Sequence, residues 1–262
     1  MQLGEKLKLT KPKTKQSESQ KVTFSPSEAT EIARDLDGKS AEDVILWASN
    51  TFGERLVLST SFQITGMVIL DMLSKIAPET RVITLDTGRL PKATYNLIDQ
   101  VQEQYSTKIE AQYPDSNELK KIVMKHGINM FYKSYSLRLL CCEKRKLDPL
   151  NNALSDVDAW ITGLTRHQGG TRADTPKITI DHKHNNIAKI SPIADWDNEM
   201  VWKYIKDNNV PYNTLYDQGY TSIGCDPCTR PIEKNEDDRS GRWWWEQGMP
   251  KECGIHFTAK AD

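Results

Sequence analysis

Apolar residues fall into two alternating rhythms along the chain. Short continuous runs such as Leu56-Val57-Leu58 and Val82-Ile83 are bounded by polar residues, as expected of strands buried on both faces. Between them the apolar positions recur at helical spacing, as with Met67, Ile69, Leu70, Met72 and Leu73. The pattern predicts strands over 55–59, 81–85, 108–112, 159–162 and 187–191. It predicts helices over 65–76, 92–104, 117–125 and 197–208, with Pro91 near the first turn of the second. Two further helices precede the first strand. One starts at Ser25-Pro26-Ser27-Glu28, and one starts at Ser40 with Asp43 at the N3 position.

Short strands alternating with helices predict an α/β fold, a mainly parallel sheet with helices on both faces. Ligands in such folds bind beyond the carboxyl ends of the strands. Three loops leave those ends, over 60–66, 86–90 and 163–172. From Pro211 onward the chain is rich in turn residues, which predicts an irregular region organised around a site.

Residues 1–24 read as a disordered basic tail, with six Lys against two Glu up to Lys21. Residues 25–235 read as a single α/β nucleotide-binding domain, and residues 236–262 as a mobile C-terminal segment. The chain has 262 residues, enough for a large core without staples. Its formal net charge of −1 argues against a general nucleic-acid partner. No apolar run approaches the roughly 18 residues that span a bilayer, and no signal-peptide core is visible. A cytoplasmic protein without a membrane partner is expected.

Five cysteines then change the picture. An odd number without a signal peptide does not suggest a disulfide framework. Cys141 and Cys142 are adjacent, and Cys225-Asp-Pro-Cys228 is a Cys-x-x-Cys. Buried inert thiols, a zinc site and an iron–sulfur site all stay open. Adjacent cysteines suit tetrahedral zinc poorly, because neighbouring side chains diverge. A [4Fe–4S] cluster, with irons at separate corners, takes four thiolates and tolerates adjacency better. Lys144, Arg145 and Lys146 follow after Glu143 and would stabilise thiolates. Cys253 stands apart in Lys251-Glu-Cys-Gly-Ile-His256. His256 and Lys251 could lower its pKa and make it a nucleophile.

Anion-binding signals sit at the strand ends. Ser59-Thr60-Ser61 precedes a helix, where hydroxyls and N–H groups make an anion cradle. Asp86-Thr87-Gly88-Arg89 follows the second strand, and Arg166 the fourth. Arg239 and Arg242 lie together just before Trp243-Trp244-Trp245. Each could be surface charge alone. Together they favour a ligand with anionic groups. The three Trp read as fastenings of the irregular region.

These motifs carry a family resemblance over about residues 28–257. Leu85-Asp-Thr-Gly-Arg-Leu90, Cys141-Cys-x-x-Arg-Lys146, Ile161-Thr-Gly163 with Arg166, Cys225-x-x-Cys228, Arg239-x-Gly-Arg-Trp-Trp-Trp245 and Lys251-Glu-Cys-Gly-Ile-His256 resemble the assimilatory adenylyl-sulfate and phosphoadenylyl-sulfate reductases, in their iron–sulfur branch. The resemblance implies an adenine-nucleotide alpha-hydrolase-like fold. It implies thioredoxin-dependent reduction of adenylyl sulfate (APS) to sulfite and AMP, with 3′-phosphoadenylyl sulfate (PAPS) as the alternative. The implied nucleophile is Cys253, forming an S-sulfocysteine, supported by His256 and Lys146. Implied substrate contacts are Ser59, Thr60, Ser61, Asp86, Thr87, Gly88, Arg89, Arg166, Arg239 and Arg242. The implied cluster ligands are Cys141, Cys142, Cys225 and Cys228. A thioredoxin or similar dithiol donor and a homo-oligomer are implied partners. Two positions depart from the family pattern. Gln63 stands where Gly is usual, and Thr165 where Arg is usual, so one anion contact is either missing or supplied elsewhere. A pyrophosphatase-type adenylating enzyme would need a Gly-rich loop that is degraded here. A non-enzymatic iron–sulfur module would not need Cys253.

Overall fold

The structure is a computed structural model that describes residues 21–168, 172–246, 248, 249 and 255. Cys253, His256 and most of the basic tail lie outside the described residues. Helix α1 (Pro26–Asp37) opens with a capping box between Ser25 and Glu28. Helix α2 (Ala41–Phe52) opens with Ser40 accepting from the Asp43 N–H. Each cap satisfies donors that the first turn leaves without partners.

The sheet is built from β1 (Leu56–Ser59), β2 (Arg81–Leu85), β3 (Ile109–Gln112), β4 (Ala159–Ile161), β5 (Ile178–Asp181) and β6 (Ile187–Ile190). Their order is β3-β2-β1-β4-β6-β5. All neighbours are parallel except the β5–β6 pair, which is antiparallel. Helices α3 (Ile64–Ile76) and α4 (Lys92–Tyr105) form the crossovers from β1 to β2 and from β2 to β3, and α5 (Ser116–His126) follows β3. The chain then crosses to the other side of β1 to form β4. The strand order therefore reverses between β1 and β4, where α/β sheets open a ligand crevice.

Alternation along the strands divides the core into two layers. Leu56, Leu58, Val82, Ala159 and Ile161 face a cluster with α2, α3, α4 and α8 (Asn198–Asp207). Val57, Ile83, Trp160 and Ile187 face the opposite side, against Leu150 and Ala153 of α7 (Asp148–Ala153). Full burial of such a side chain contributes about 1.5–3 kcal/mol. Helices thus cover both faces, as the pattern predicts. Asp71 locks the first layer: it accepts from Lys75 of its own helix, Tyr105 of α4 and Tyr204 of α8. No helix among the described residues is long and apolar enough to cross a membrane.

Two expected boundaries move. The Val22 N–H donates to Asp158 Oδ2 at 2.7 Å, and Phe24 packs on Trp47 and Phe52. Attachment to the domain therefore begins before residue 25. At the other end, Trp243 and Glu246 are buried and Thr229 pairs with Arg242, so packing against the domain body reaches past residue 235. Strand β5 and helix α6 (Tyr135–Cys142) were not expected. Ile178 and Ile180 alternate with polar residues, and Leu137, Leu140 and Cys141 recur at helical spacing, but each element is only four or eight residues long.

Candidate active site

A cavity of about 150 Å³ opens at the strand ends. Ser59, Thr60 and Ser61 line it from β1, with Thr65 and Gly66 from the start of α3. Thr87 follows β2, and Thr162, Gly163 and Leu164 follow β4. The loops after β1 and β4 touch because Gly163 lacks a side chain. A Cβ there would meet Thr65 Oγ1 at 2.7 Å and the Gly66 backbone N at 3.1 Å. No side chain caps α3. The positive end of its dipole therefore faces the cavity, a setting suited to an anion. Lys146, Arg172, Arg239 and Arg242 add cationic lining. Ile255, from the Cys253 motif, also lines this cavity.

A second, smaller cavity adjoins the first. All four cysteines Cys141, Cys142, Cys225 and Cys228 line it and are buried. Cys141 and Cys142 end α6, whose Ser134 N-cap accepts from Leu137 N–H. A wider π-helical turn follows over Glu143–Leu147 and carries Arg145 and Lys146. Such turns change which side chains share a helix face. Cys225 and Cys228 flank a single tight turn, closed by the Cys228 N–H donating to the Cys225 carbonyl at 2.9 Å. The loop after β2 clasps that turn. Thr87 Oγ1 lies 3.3 Å from Cys225 Sγ, and the Arg89 carbonyl accepts from Asp226 N–H. Gly224 leaves room for Arg242, whose Nη2 would stand 2.3 Å from a Cβ there.

Charge in this second cavity is one-sided. Arg89, Arg138, Arg145 and Lys146 line it with the thiols. Burial pushes the Cys228 thiol up to about 12, and Cys225 beside it adds to the rise. Burial likewise raises Cys141, while Arg145 opposes the shift. Arg145 Nε is buried without a hydrogen-bond partner. Glu246 balances Arg138, but neutral thiols would leave the buried Arg145 beside them without a counter-charge, which is costly away from water. A net-negative metal–thiolate group would balance it. Among the described residues no three His, Cys, Asp or Glu side chains form a group for a single metal ion. Four sulfurs around one cavity fit a cluster with separate corners better than zinc.

Lys146 lines both cavities and is the physical link between them. Several expected residues stand elsewhere. Arg166 donates to Asp37 Oδ1 and to the Thr175 carbonyl and does not line the strand-end cavity. Its guanidinium is engaged in an ion pair with the Asp37 carboxylate. Asp86 accepts from Tyr95 and from Gly88 N–H, and neither Asp86 nor Gly88 lines the cavity. Arg89 reaches Asn129 and the Ile128 carbonyl and lies over the Phe131 ring, on the cysteine side. Arg172, missed from the sequence, lines the strand-end cavity. Its signal was faint, a lone Arg six residues after Arg166 in a polar loop. It adds a cation to that lining. Trp243 is buried against the cysteines and Trp245 packs on that cluster, which fits the fastening role, whereas Trp244 is exposed.

Comparison with known proteins agrees with this geometry. Residues 55–231 match the family described as phosphoadenosine phosphosulfate reductase domain. An adenosine 5′-phosphosulfate reductase of Allochromatium vinosum is 44% identical over 203 residues, covering 78% of this chain and 79% of the relative. One of Burkholderia cepacia is 41% identical over 242 residues, covering 90% and 92%. A crystal structure of phosphoadenylyl-sulfate reductase from Candida auris, a phosphate complex, superposes with a TM-score of 0.70. It is 32% identical, and the match covers 80% of this chain and all of that one. FMN adenylyltransferase of Candida glabrata, 14% identical with a TM-score of 0.53 over 82% of this chain and 70% of its own, shares the fold alone. A family match across most of the chain, with relatives above two-fifths identity, places it: the chain belongs to the phosphoadenosine phosphosulfate reductase domain family.

Proposed function

We propose that this chain reduces adenosine 5′-phosphosulfate to sulfite and AMP. The observation that carries the reading is the junction of the two cavities at Lys146. An anion site at the switch point of the sheet adjoins a buried four-cysteine site, and Ile255 of the Cys253 motif lines the former. The names of the relatives from Allochromatium vinosum and Burkholderia cepacia support the unphosphorylated nucleotide as substrate.

In this reading the Cys253 thiolate attacks the sulfonate sulfur. A sulfur–sulfur bond forms, the sulfur–oxygen bond to the phosphate breaks, and AMP leaves with the bonding pair. The enzyme then carries S-sulfocysteine. A dithiol donor of the thioredoxin type attacks the Cys253 sulfur and releases sulfite, and its second thiol closes a disulfide. The donor supplies the two electrons that take sulfur from sulfate to sulfite. Lys146, Arg172, Arg239 and Arg242 would hold the charge that grows on the leaving phosphate. Ser59, Thr60, Ser61, Thr87 and the start of α3 would seat the anionic oxygens. His256 would favour the thiolate of Cys253. Cys141, Cys142, Cys225 and Cys228 would hold a [4Fe–4S] cluster, which when bound supplies a fixed charge distribution beside Lys146.

Labelled adenosine 5′-phosphosulfate mixed with protein, without dithiol, should leave label on Cys253. No covalent sulfur on that residue would overturn the mechanism. Metal analysis should find about four irons per chain; bound zinc without iron would exclude the cluster. The Candida auris structure favours a second reading, the same chemistry on the 3′-phosphorylated nucleotide. Turnover of the two nucleotides side by side separates them.

A further inference from the structure

Gln63 stands at the N-cap of α3, yet its side chain makes no capping hydrogen bond. It bridges two other segments. Its Oε1 accepts from the Ile223 backbone N–H at 3.0 Å, and its Nε2 donates to Ser61 Oγ at 3.1 Å. The amide orientation is dictated by the partners, since a backbone N–H can only donate. Ser61 Oγ therefore accepts from Gln63 and keeps its own proton to give. Ser61 and Gln63 both line the strand-end cavity.

The backbone is shaped around this bridge. Phe62 adopts a φ of 56°, a region that bulky residues avoid, and is fully buried. Its N–H donates to Thr60 Oγ1. On the other side, the Ile223 carbonyl and Ser222 Oγ accept from Arg242 Nη1 at 3.4 and 3.2 Å. The Ser222-Ile223 segment is thus pinned by Gln63 and seats one of the cations of the cavity.

We propose that Gln63 is a positioning residue for the anionic end of the ligand. It fixes Ser61 as a hydrogen-bond donor toward the cavity and steadies the seat of Arg242. The proposal rests on reading that cavity as the phosphosulfate site. A glycine here would let backbone approach the ligand; this chain uses a side-chain amide to orient a hydroxyl.

A double-mutant cycle tests it. Binding of adenosine 5′-phosphosulfate without dithiol, and separately of inorganic phosphate, is measured for the unchanged protein, Gln63→Ala, Ser61→Ala and the double variant. Each single change should weaken adenosine 5′-phosphosulfate binding about tenfold. The double variant should lose clearly less than the product of the singles, because Gln63 acts in part through Ser61; what it loses beyond Ser61→Ala reports the seat of Arg242. In turnover, Gln63→Ala should raise KM by more than it lowers kcat, a split that general destabilisation would not give. Gln63→Met keeps the side-chain length without its hydrogen bonds and replaces Gln63→Ala if that variant fails to fold. A double loss near the product of the singles, about a hundredfold, or no loss in Gln63→Ala, overturns the role of Gln63 and leaves the substrate reading standing. The same non-additivity with phosphate, but no binding of adenosine 5′-phosphosulfate, upholds Gln63 and overturns that substrate. No binding of either overturns both.

Discussion

Arg138 and Glu246 form a buried bidentate ion pair. Nε and Nη2 of the guanidinium donate to the two carboxylate oxygens at 3.0 and 2.8 Å. The Arg138 side chain is fully buried and also lies over the Trp243 ring. The pair fastens α6, which carries Cys141 and Cys142, to the segment that passes Cys228. One side chain pair thereby joins the two halves of the cysteine site.

Removing one member leaves an uncompensated buried charge. Glu246→Ala is expected to cost about 3–5 kcal/mol, read as a lower urea midpoint. Replacing both residues by Leu should recover most of that loss. If Glu246→Ala unfolds at the midpoint of the unchanged protein, the pair carries no such weight.

The two arginines after β4 should separate cleanly. Arg172 lines the strand-end cavity, whereas Arg166 is paired with Asp37. Arg172→Met is expected to lower kcat/KM about 100-fold, the scale of one lost charge-stabilising donor. Arg166→Met should stay within about threefold. Steady-state kinetics on both variants decides it, and the reverse ranking would contradict this placement.

Gly224→Ala should disturb the seat of Arg242. Its new Cβ would stand 2.3 Å from a guanidinium that is itself buried and held by Ser222 and Ile223. Overpacking of this kind costs about 1–3 kcal/mol. A lower melting temperature together with weaker binding of adenosine 5′-phosphosulfate is expected. Unchanged values of both would show that Arg242 has room to move.

Acid should weaken the fold through Asp158. Burial alone would raise its carboxyl, but the bidentate Arg55 guanidinium and the Val22 N–H hold it below the usual range. The unfolded chain then binds more protons than the folded one as the pH falls. The stabilisation is present above the ordinary carboxylate value of about 3.9 and is lost as pH falls through the lower folded value. Urea midpoints across about pH 3 to 6 should fall less steeply for Asp158→Asn than for the unchanged protein. Parallel slopes would remove Asp158 from the acid response.

The alternation of apolar runs and helical stripes determined the sheet by itself. Leu56-Val57-Leu58 and Val82-Ile83 have no stable place except between two helix layers, and Ser25 and Ser40 mark helix starts by local hydrogen bonding alone. The grouping of the cysteines was legible for the same reason, because the spacing of a turn brings Cys225 and Cys228 together without help from elsewhere. Tertiary structure decided the rest. Strand β5 alternates Ile178 and Ile180 with polar residues over only four positions, and its place is set by antiparallel pairing with β6. Which arginine meets the ligand depends on partners far along the chain: Asp37, 129 residues away, takes Arg166 and leaves the cavity to Arg172. Gln63 read as a departure from a glycine, and its role emerged only when Ile223, 160 residues on, was folded against it. Local propensity and burial pattern are written in neighbouring residues. The direction of a long polar side chain is set by whichever donor or acceptor the fold brings within reach.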